Sequence, residues 1–324
     1  MLILFKHGLL ENLKILTNTP FFILVIAVEI FLSNYHEKKL YSFKETATNF
    51  LLSILNGGLD LLIRGAYFLV LVYFWDQSFT AIKNPWLYWG TLMILIDFMM
   101  YWLHRLEHQC RLFWAAHVTH HSAEHMNFSV EFRTSVFQPL YRFIFFLPLA
   151  FIGFKPIDIF LAFSFMQIWG LMVHTTLINK LGWLEYVMVT PSHHRVHHAS
   201  NVKYLDRNMG MCLIIWDKLF GTFQAELSAQ EYEPIRYGLT KPLEKIDPFS
   251  IIFHEWRSIR KDLGKKGINW KERMNYLFRP PGWSHDKSKL TSDEMRALEM
   301  EDHVTIKPEE NKLPTEDHTT SIAV

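Results

Sequence analysis

Cysteine is nearly absent from this chain of 324 residues: Cys110 and Cys212 cannot make a disulfide framework, and nothing else points to an oxidising compartment. Net charge is missing too. The 33 basic and 32 acidic residues leave a formal charge of +1, which gives no electrostatic footprint for a nucleic-acid partner. No glycine-rich dinucleotide fingerprint and no cytochrome-like domain is visible, so electrons for any redox reaction must come from outside the chain. No cleavable leader is visible either. Met1 to Asn18 is amphipathic, interrupted by Lys6, His7, Glu11 and Lys14, with no small-residue cleavage site after it. Residues 1–18 read as an interfacial helix lying on a membrane.

What is abundant is apolar surface. Half the residues are hydrophobic, including 27 Phe and 11 Trp. The charges are unevenly spread: residues 1–180 hold 13 Lys+Arg and 11 Asp+Glu, whereas residues 181–324 hold 20 and 21. A membrane-crossing helix needs about 20 largely apolar residues. Five stretches approach this, at 20–35, 50–75, 86–103, 136–153 and 157–178. Glu29, Asp60, Arg64, Asp97 and Arg142 lie inside them, and such residues face a bundle interior. Asp60 and Arg64, at i and i+4, can neutralise each other. A soluble helical protein with buried helices is the weaker reading, because Trp and Tyr collect near the ends of the segments.

Eleven of the 17 histidines fall between residues 104 and 198. They read His104-Arg-Leu-Glu-His108, His117-Val-Thr-His120-His121 and His193-His194-Arg-Val-His197-His198, with His125 and His174 besides. On a helix, residues three and four apart share a face, so each H-x-x-H-H run gathers imidazoles in one small space. Neutral imidazole is the commonest metal side-chain ligand near pH 7. Eight convergent rings are twice what one tetrahedral zinc uses, which points to two metals. Thr190-Pro191-Ser192 ahead of the last run signals a helix start, with Ser192 as the expected N-cap.

The same residues admit other readings. His104, Glu107 and His108 match the H-x-x-E-H pattern of a zinc-dependent hydrolase, which gives no reason for two further histidine runs. Haem between transmembrane histidines lacks a partner for His174 at membrane depth. A non-catalytic metal-binding or transport protein would place its ligands near the bilayer midplane, whereas these histidines sit beyond the apolar segments.

The pattern around the hydrophobic hairpin resembles the fatty acid hydroxylase/sterol desaturase superfamily of membrane di-iron oxygenases. His117–Glu124, Thr190–His198, Leu213–Phe223, Tyr237-Gly-Leu-Thr240 and Pro281-Gly-Trp283 are similar to its alkylglycerol monooxygenase branch, over roughly residues 85–285. The resemblance implies an all-α, multi-pass membrane helical bundle with a cytoplasmic helical cap carrying the di-metal site. It implies two iron ions, dioxygen, a lipid substrate and an external reductant, tetrahydrobiopterin for that branch. The implied ligands are His104, His108, His117, His120, His121, His194, His197 and His198, with His174 as a ninth. His193, Glu124, Asp206 and Asp217 are candidates to support them, Glu124 and Asp206 being the expected catalytic acids. One departure stands beside the second histidine: the branch carries Glu directly after it, and this chain has Gln109, with Glu107 one residue before.

The expected organisation is an interfacial helix over 1–18, transmembrane helices over 19–103, a catalytic domain over 104–285 that includes a membrane hairpin at 136–178, and a disordered charged tail over 286–324. Phe143, Phe145, Phe146 and Trp169 are expected to wall a lipid channel. Lys38, Lys39 and Lys44 on the histidine side against Lys83 on the other make the histidine side and the C-terminus cytoplasmic.

Overall fold

The computed structural model describes residues 20–306; the expected interfacial helix and the last residues of the expected tail lie outside them. The described residues are all-helical apart from loops, with two isolated antiparallel bridges, Met188 to Leu213 and Ala199 to Tyr237. Three helices are long and apolar enough to cross a membrane: α2 (Phe43–Asp76), α3 (Pro85–Gln109) and α6 (Pro156–Val173). Before them comes α1 (Pro20–Tyr35), and α5 (Pro139–Ile152) precedes α6. At 1.5 Å per residue these two span only about 24 and 21 Å, short of a hydrocarbon core of about 30 Å.

The expected span at 136–153 is thus corrected to a broken helix. It runs helical over Pro139–Arg142, tightens to a 3-10 turn over Phe143–Phe146 and resumes at Leu147–Ile152, where Pro148 has no N–H to continue the ladder. The next expected span also ends early. Helix α6 stops at Val173, so His174 caps its end and lies outside the apolar helix.

Leu71, Leu92, Ile96, Leu103, Leu149 and Ile159 form the main core where α2, α3, α5 and α6 meet. The opposite face of α2 exposes Ile54, Leu61, Leu62 and Leu69. The charges inside these helices are paired, as burial demands. Asp60 accepts from Arg64 Nε (2.9 Å), Arg142 (2.9 Å) and the Tyr67 hydroxyl (3.0 Å). Glu29 accepts from Tyr41, Thr175 and the Phe128 amide.

The short α4 (Arg111–His121) follows α3 directly and carries the first H-x-x-H-H run; α7 (Pro191–His197) carries the second. Its N-cap is Thr190 and not Ser192: with Pro191 at the first helical position, Thr190 and His193 close a reciprocal capping pair, while Ser192 donates to Glu185 (2.6 Å). The helices α8 (Ile215–Phe220), α9 (Pro248–Leu263) and α10 (Trp270–Phe278) complete the polar part.

The expectation of disorder from residue 286 onward fails for the described part. Residues Ser292–Ile306 form α11, held by Arg296 on the Leu205 carbonyl and by Tyr232 donating to Glu299 (2.7 Å). Composition alone missed these tertiary tethers.

Candidate metal centre

Nine histidines meet where α3, α4, α7 and the end of α6 converge, and they divide into two groups. His104, His108, His117, His121 and His197 form one; His120, His174, His194 and His198 form the other. Within each group the ligating nitrogens all lie within 4.8 Å of one another. Helical geometry explains the division. Residues i and i+4 stay on one face, so His104/His108, His117/His121 and His194/His198 each remain together. The residue before the second member is rotated away: His120 leaves its run for the second group, and His197 leaves its run for the first.

Backbone carbonyls and carboxylates aim most of these rings from behind. His104 Nδ1 donates to the Met209 carbonyl (2.9 Å), His197 Nδ1 to that of Arg207 (2.9 Å), His174 Nδ1 to that of Gly170 (2.7 Å) and His120 Nδ1 to that of Arg133 (3.3 Å). Asp206 accepts from His108 Nδ1 (2.9 Å), and Glu107 lies 3.2 Å from His117 Nδ1. A ring that donates through Nδ1 presents a bare lone pair at Nε2. Those lone pairs face one another. His104 and His117 Nε2 are 3.1 Å apart, and His121 Nε2 is 3.2 Å from both His108 and His117. In the second group His194 Nε2 is 2.8 Å from His174 and 3.1 Å from His198, and His174 is 3.2 Å from His120.

Burial, and then the neighbouring imidazoles, hold His117, His121, His194, His197 and His198 well below the ordinary histidine range, so these rings are neutral near pH 7. His197 Nε2 is buried with no partner. Convergent neutral lone pairs repel unless a cation sits among them, and imidazole suits zinc, copper, iron and nickel. The donor set fits two metal ions, with five nitrogens for one and four for the other.

Residues 89–222, which hold all nine histidines, match the fatty acid hydroxylase family model. That segment is similar to fatty acid hydroxylases. It is 36% identical to a human alkylglycerol monooxygenase over 84% of this chain and 60% of that one, and 31% identical to its Xenopus tropicalis counterpart over the same shares. An ornithine lipid hydroxylase of Rhizobium tropici is 30% identical over 46% of this chain and 43% of its own. The chain spans 60% of the length of the two monooxygenases. No solved structure matches the chain significantly.

Around the histidine groups, the expected acids part ways. Asp206 holds His108 from a left-handed backbone (φ 52°), a conformation that Asp tolerates better than most residues. Burial alone would raise its pKa, but the His108 and Ser292 contacts and the Arg296 charge bring it below the usual carboxylate range. Asp217 acts at one remove, accepting from the Met209 and Gly210 amides (2.6 and 2.8 Å) and so fixing the carbonyl that orients His104. A Cβ on Gly210 would lie 2.7 Å from the Leu213 carbonyl, which is why this turn needs glycine.

Glu124 does not join the centre. It is exposed, and its amide donates to Glu45 (2.9 Å), beside His125, which pairs with the same carboxylate (2.6 Å). His193 serves the α7 cap. Gln109 is exposed and accepts from Arg105 (3.3 Å). Glu107 is occupied by Gln138 (2.9 Å) and Tyr141 (2.7 Å), and His104 and His108 belong to a five-histidine group, so the three-ligand zinc hydrolase pattern is not formed.

Two supports were invisible in the sequence. Glu131 lies 3.3 Å from His174 Nδ1, its carboxyl pushed up to about 8 by burial. Arg133, fully buried, pins the end of α4 through Ser122, Thr119 and Asn49. Neither stands in a recognisable spacing. Replacing Asp206 with Asn is expected to weaken metal retention by roughly 10–100-fold, read by competition with a chelator; unchanged retention would remove Asp206 from the centre.

Beside the histidines lies a cavity of about 130 Å³ lined by His104, Glu107, His117, His120, His174 and His194. It shares Asn56, Glu131, Thr134, Arg142, Phe163 and Gln167 with a groove of about 320 Å³ that runs along α2, α5 and α6. Phe143 and Phe146 line that groove as expected. Trp169 instead donates to the Val189 carbonyl (2.9 Å), and Phe145 packs on the core.

Proposed function

We propose that this protein is a membrane-bound di-iron oxygenase that uses dioxygen to hydroxylate or desaturate an aliphatic carbon of a lipid. The observation that carries the reading is the pair of convergent histidine groups opening onto a cavity continuous with a groove between apolar helices. Ether lipids of the alkylglycerol type are the first substrates to test, because the proteins of that name match 84% of the chain. Hydroxylation of the carbon next to the ether oxygen gives a hemiacetal, which collapses to an aldehyde and glycerol.

The proposed ligands are His104, His108, His117, His121 and His197 for one iron, and His120, His174, His194 and His198 for the other. Bound iron supplies the electron-transfer chemistry that lets dioxygen react with a C–H bond. The chain's own residues do the positioning. The Nδ1 contacts fix ring orientation, and oriented ligands raise metal affinity. Phe143, Phe146, Phe160 and Phe163 hold an apolar chain in the groove, while Gln138, Thr134 and Gln167 offer polar contacts at its histidine end. The relevant face is cytoplasmic on this reading. Asn127 donates to the Leu40 carbonyl (2.7 Å), which keeps the Lys38–Lys44 connection beside the histidines, and Thr80 bonds Ile152 at the far end near Lys83.

Metal analysis of detergent-purified protein, combined with dioxygen-dependent turnover of alkylglycerol, sterol and fatty-acid substrates, tests the proposal. About two irons per chain with an oxidised lipid product is the expected result, given nine nitrogen donors for two ions. Zinc with peptide cleavage, or bound metal without turnover by any reductant, would overturn it.

A further inference from the structure

One face of α3 carries Asp97, Tyr101, His104 and His108, at helical spacings of four, three and four. All of them grip the same downstream stretch, residues 206–222. His108 holds Asp206, and His104 the Met209 carbonyl. Tyr101 meets the Thr222 hydroxyl at 3.0 Å. Asp97 accepts from the Cys212 amide (2.9 Å), the Leu213 amide (3.1 Å) and the Trp216 indole N–H (2.9 Å). Asp97 therefore closes the turn on one side, while Asp217 closes it on the other through the Met209 and Gly210 amides.

A hydrogen-bond chain of fixed direction links α3 to Asp217. The Arg105 guanidinium donates to the Tyr101 oxygen (3.0 Å), and Thr222 donates to Asp217 (2.6 Å), so the Tyr101 hydroxyl donates to Thr222. Running from a permanent cation to a carboxylate, the chain has one polarity, and each bond strengthens the next. Asp97, Tyr101, Thr222 and Asp217 are all buried, where such groups cost stability unless partnered. Asp97 is not among the residues lining the groove or the cavity beside the histidines. Its partners all lie in the turn. Residues 207–212 belong to no helix, so no helical ladder holds the Met209 carbonyl in place. The carbonyl can aim His104 only as firmly as the turn itself is held.

We infer that Asp97 and Tyr101 are positioning residues for the five-histidine group: they hold the 209–217 turn so that the Met209 carbonyl fixes the His104 ring. The inference rests on the two-metal reading of the histidines and is independent of which lipid is oxidised.

Asp97→Asn keeps the volume but sets an NH2 group against N–H donors. Release of iron to a chelator from the iron-loaded, detergent-purified protein follows the two ions without turnover. Asp97→Asn is expected to release one ion about 10–100-fold faster and the other at the parent rate. Tyr88→Phe removes a different tertiary contact of α3, the bond to Asp158 (2.8 Å), and should leave both rates unchanged. The double variant Asp97→Asn/His104→Ala identifies the route. If Asp97 acts through His104, the pair releases that ion no faster than His104→Ala alone, because the two effects are not independent. Tyr101→Phe breaks the chain without touching a charge and should accelerate the same ion, which keeps the test decisive should Asp97→Asn fail to fold. Neither ion released faster, both released faster, additive effects in the double variant, or an equal acceleration in Tyr88→Phe would overturn the assignment. A parent protein holding fewer than two ions would overturn the two-metal reading instead.

Discussion

Replacing His194 with alanine is expected to take metal content from about two ions per chain to about one, and turnover down by more than the roughly 100-fold typical of losing a supporting contact. Replacing His193, its neighbour, should do neither. His194 Nε2 stands 2.8 Å from His174 and 3.1 Å from His198, so its loss leaves three nitrogens in the smaller group. The His193 ring faces Thr190 and Glu185 and closes the α7 cap. Its removal costs about 1 kcal/mol of stability, as for other lost caps. Elemental analysis and lipid turnover on the two variants separate the roles. Two ions retained in His194→Ala, or one lost in His193→Ala, would break the assignment of the second group.

In the metal-free protein, acid should be strongly destabilising just below neutrality. His117, His120, His121, His194, His197 and His198 have folded pKa values well below the ordinary 6.5, with burial the largest cause. An unfolded chain takes up protons at about 6.5 that the folded one refuses. This contribution is therefore fully present above pH 6.5 and is lost as pH falls toward the folded values. Each such group removes at most about 1.4 kcal/mol per pH unit below the unfolded value, and six act together. Against a typical total of 5–15 kcal/mol that is a large loss. The thermal midpoint of the metal-free protein in detergent should fall steeply from pH 7 to 5; a flat profile would mean that the rings are not buried and neutral as described. Iron should raise the midpoint most at neutral pH, where the lone pairs are free to bind it.

The proposed ligand set was legible because helical spacing leaves a direct trace: H-x-x-H-H and H-x-x-x-H put imidazoles on one face whatever else the chain does. The groups that aim them were legible only in part. The chemistry of metal sites points to Asp206 and Asp217, yet equally to Glu124, whose side chain is exposed and whose amide donates to Glu45. Glu131 carries no such trace because it stands at no helical spacing from a histidine and meets His174 only when α6 packs back. The carbonyls of Met209, Arg207, Arg133 and Gly170 have no side-chain signature at all.

The two convergent histidine groups and the apolar character of α2, α3 and α6 were written into the amino-acid order, because spacing and hydropathy act locally. Which rings share a metal and where the helical hairpin breaks were decided by tertiary structure. Helix rotation sends His120 and His197 across to the other group. Those outcomes depend on contacts between residues more than 100 positions apart, such as His104 on the Met209 carbonyl, which no local pattern encodes.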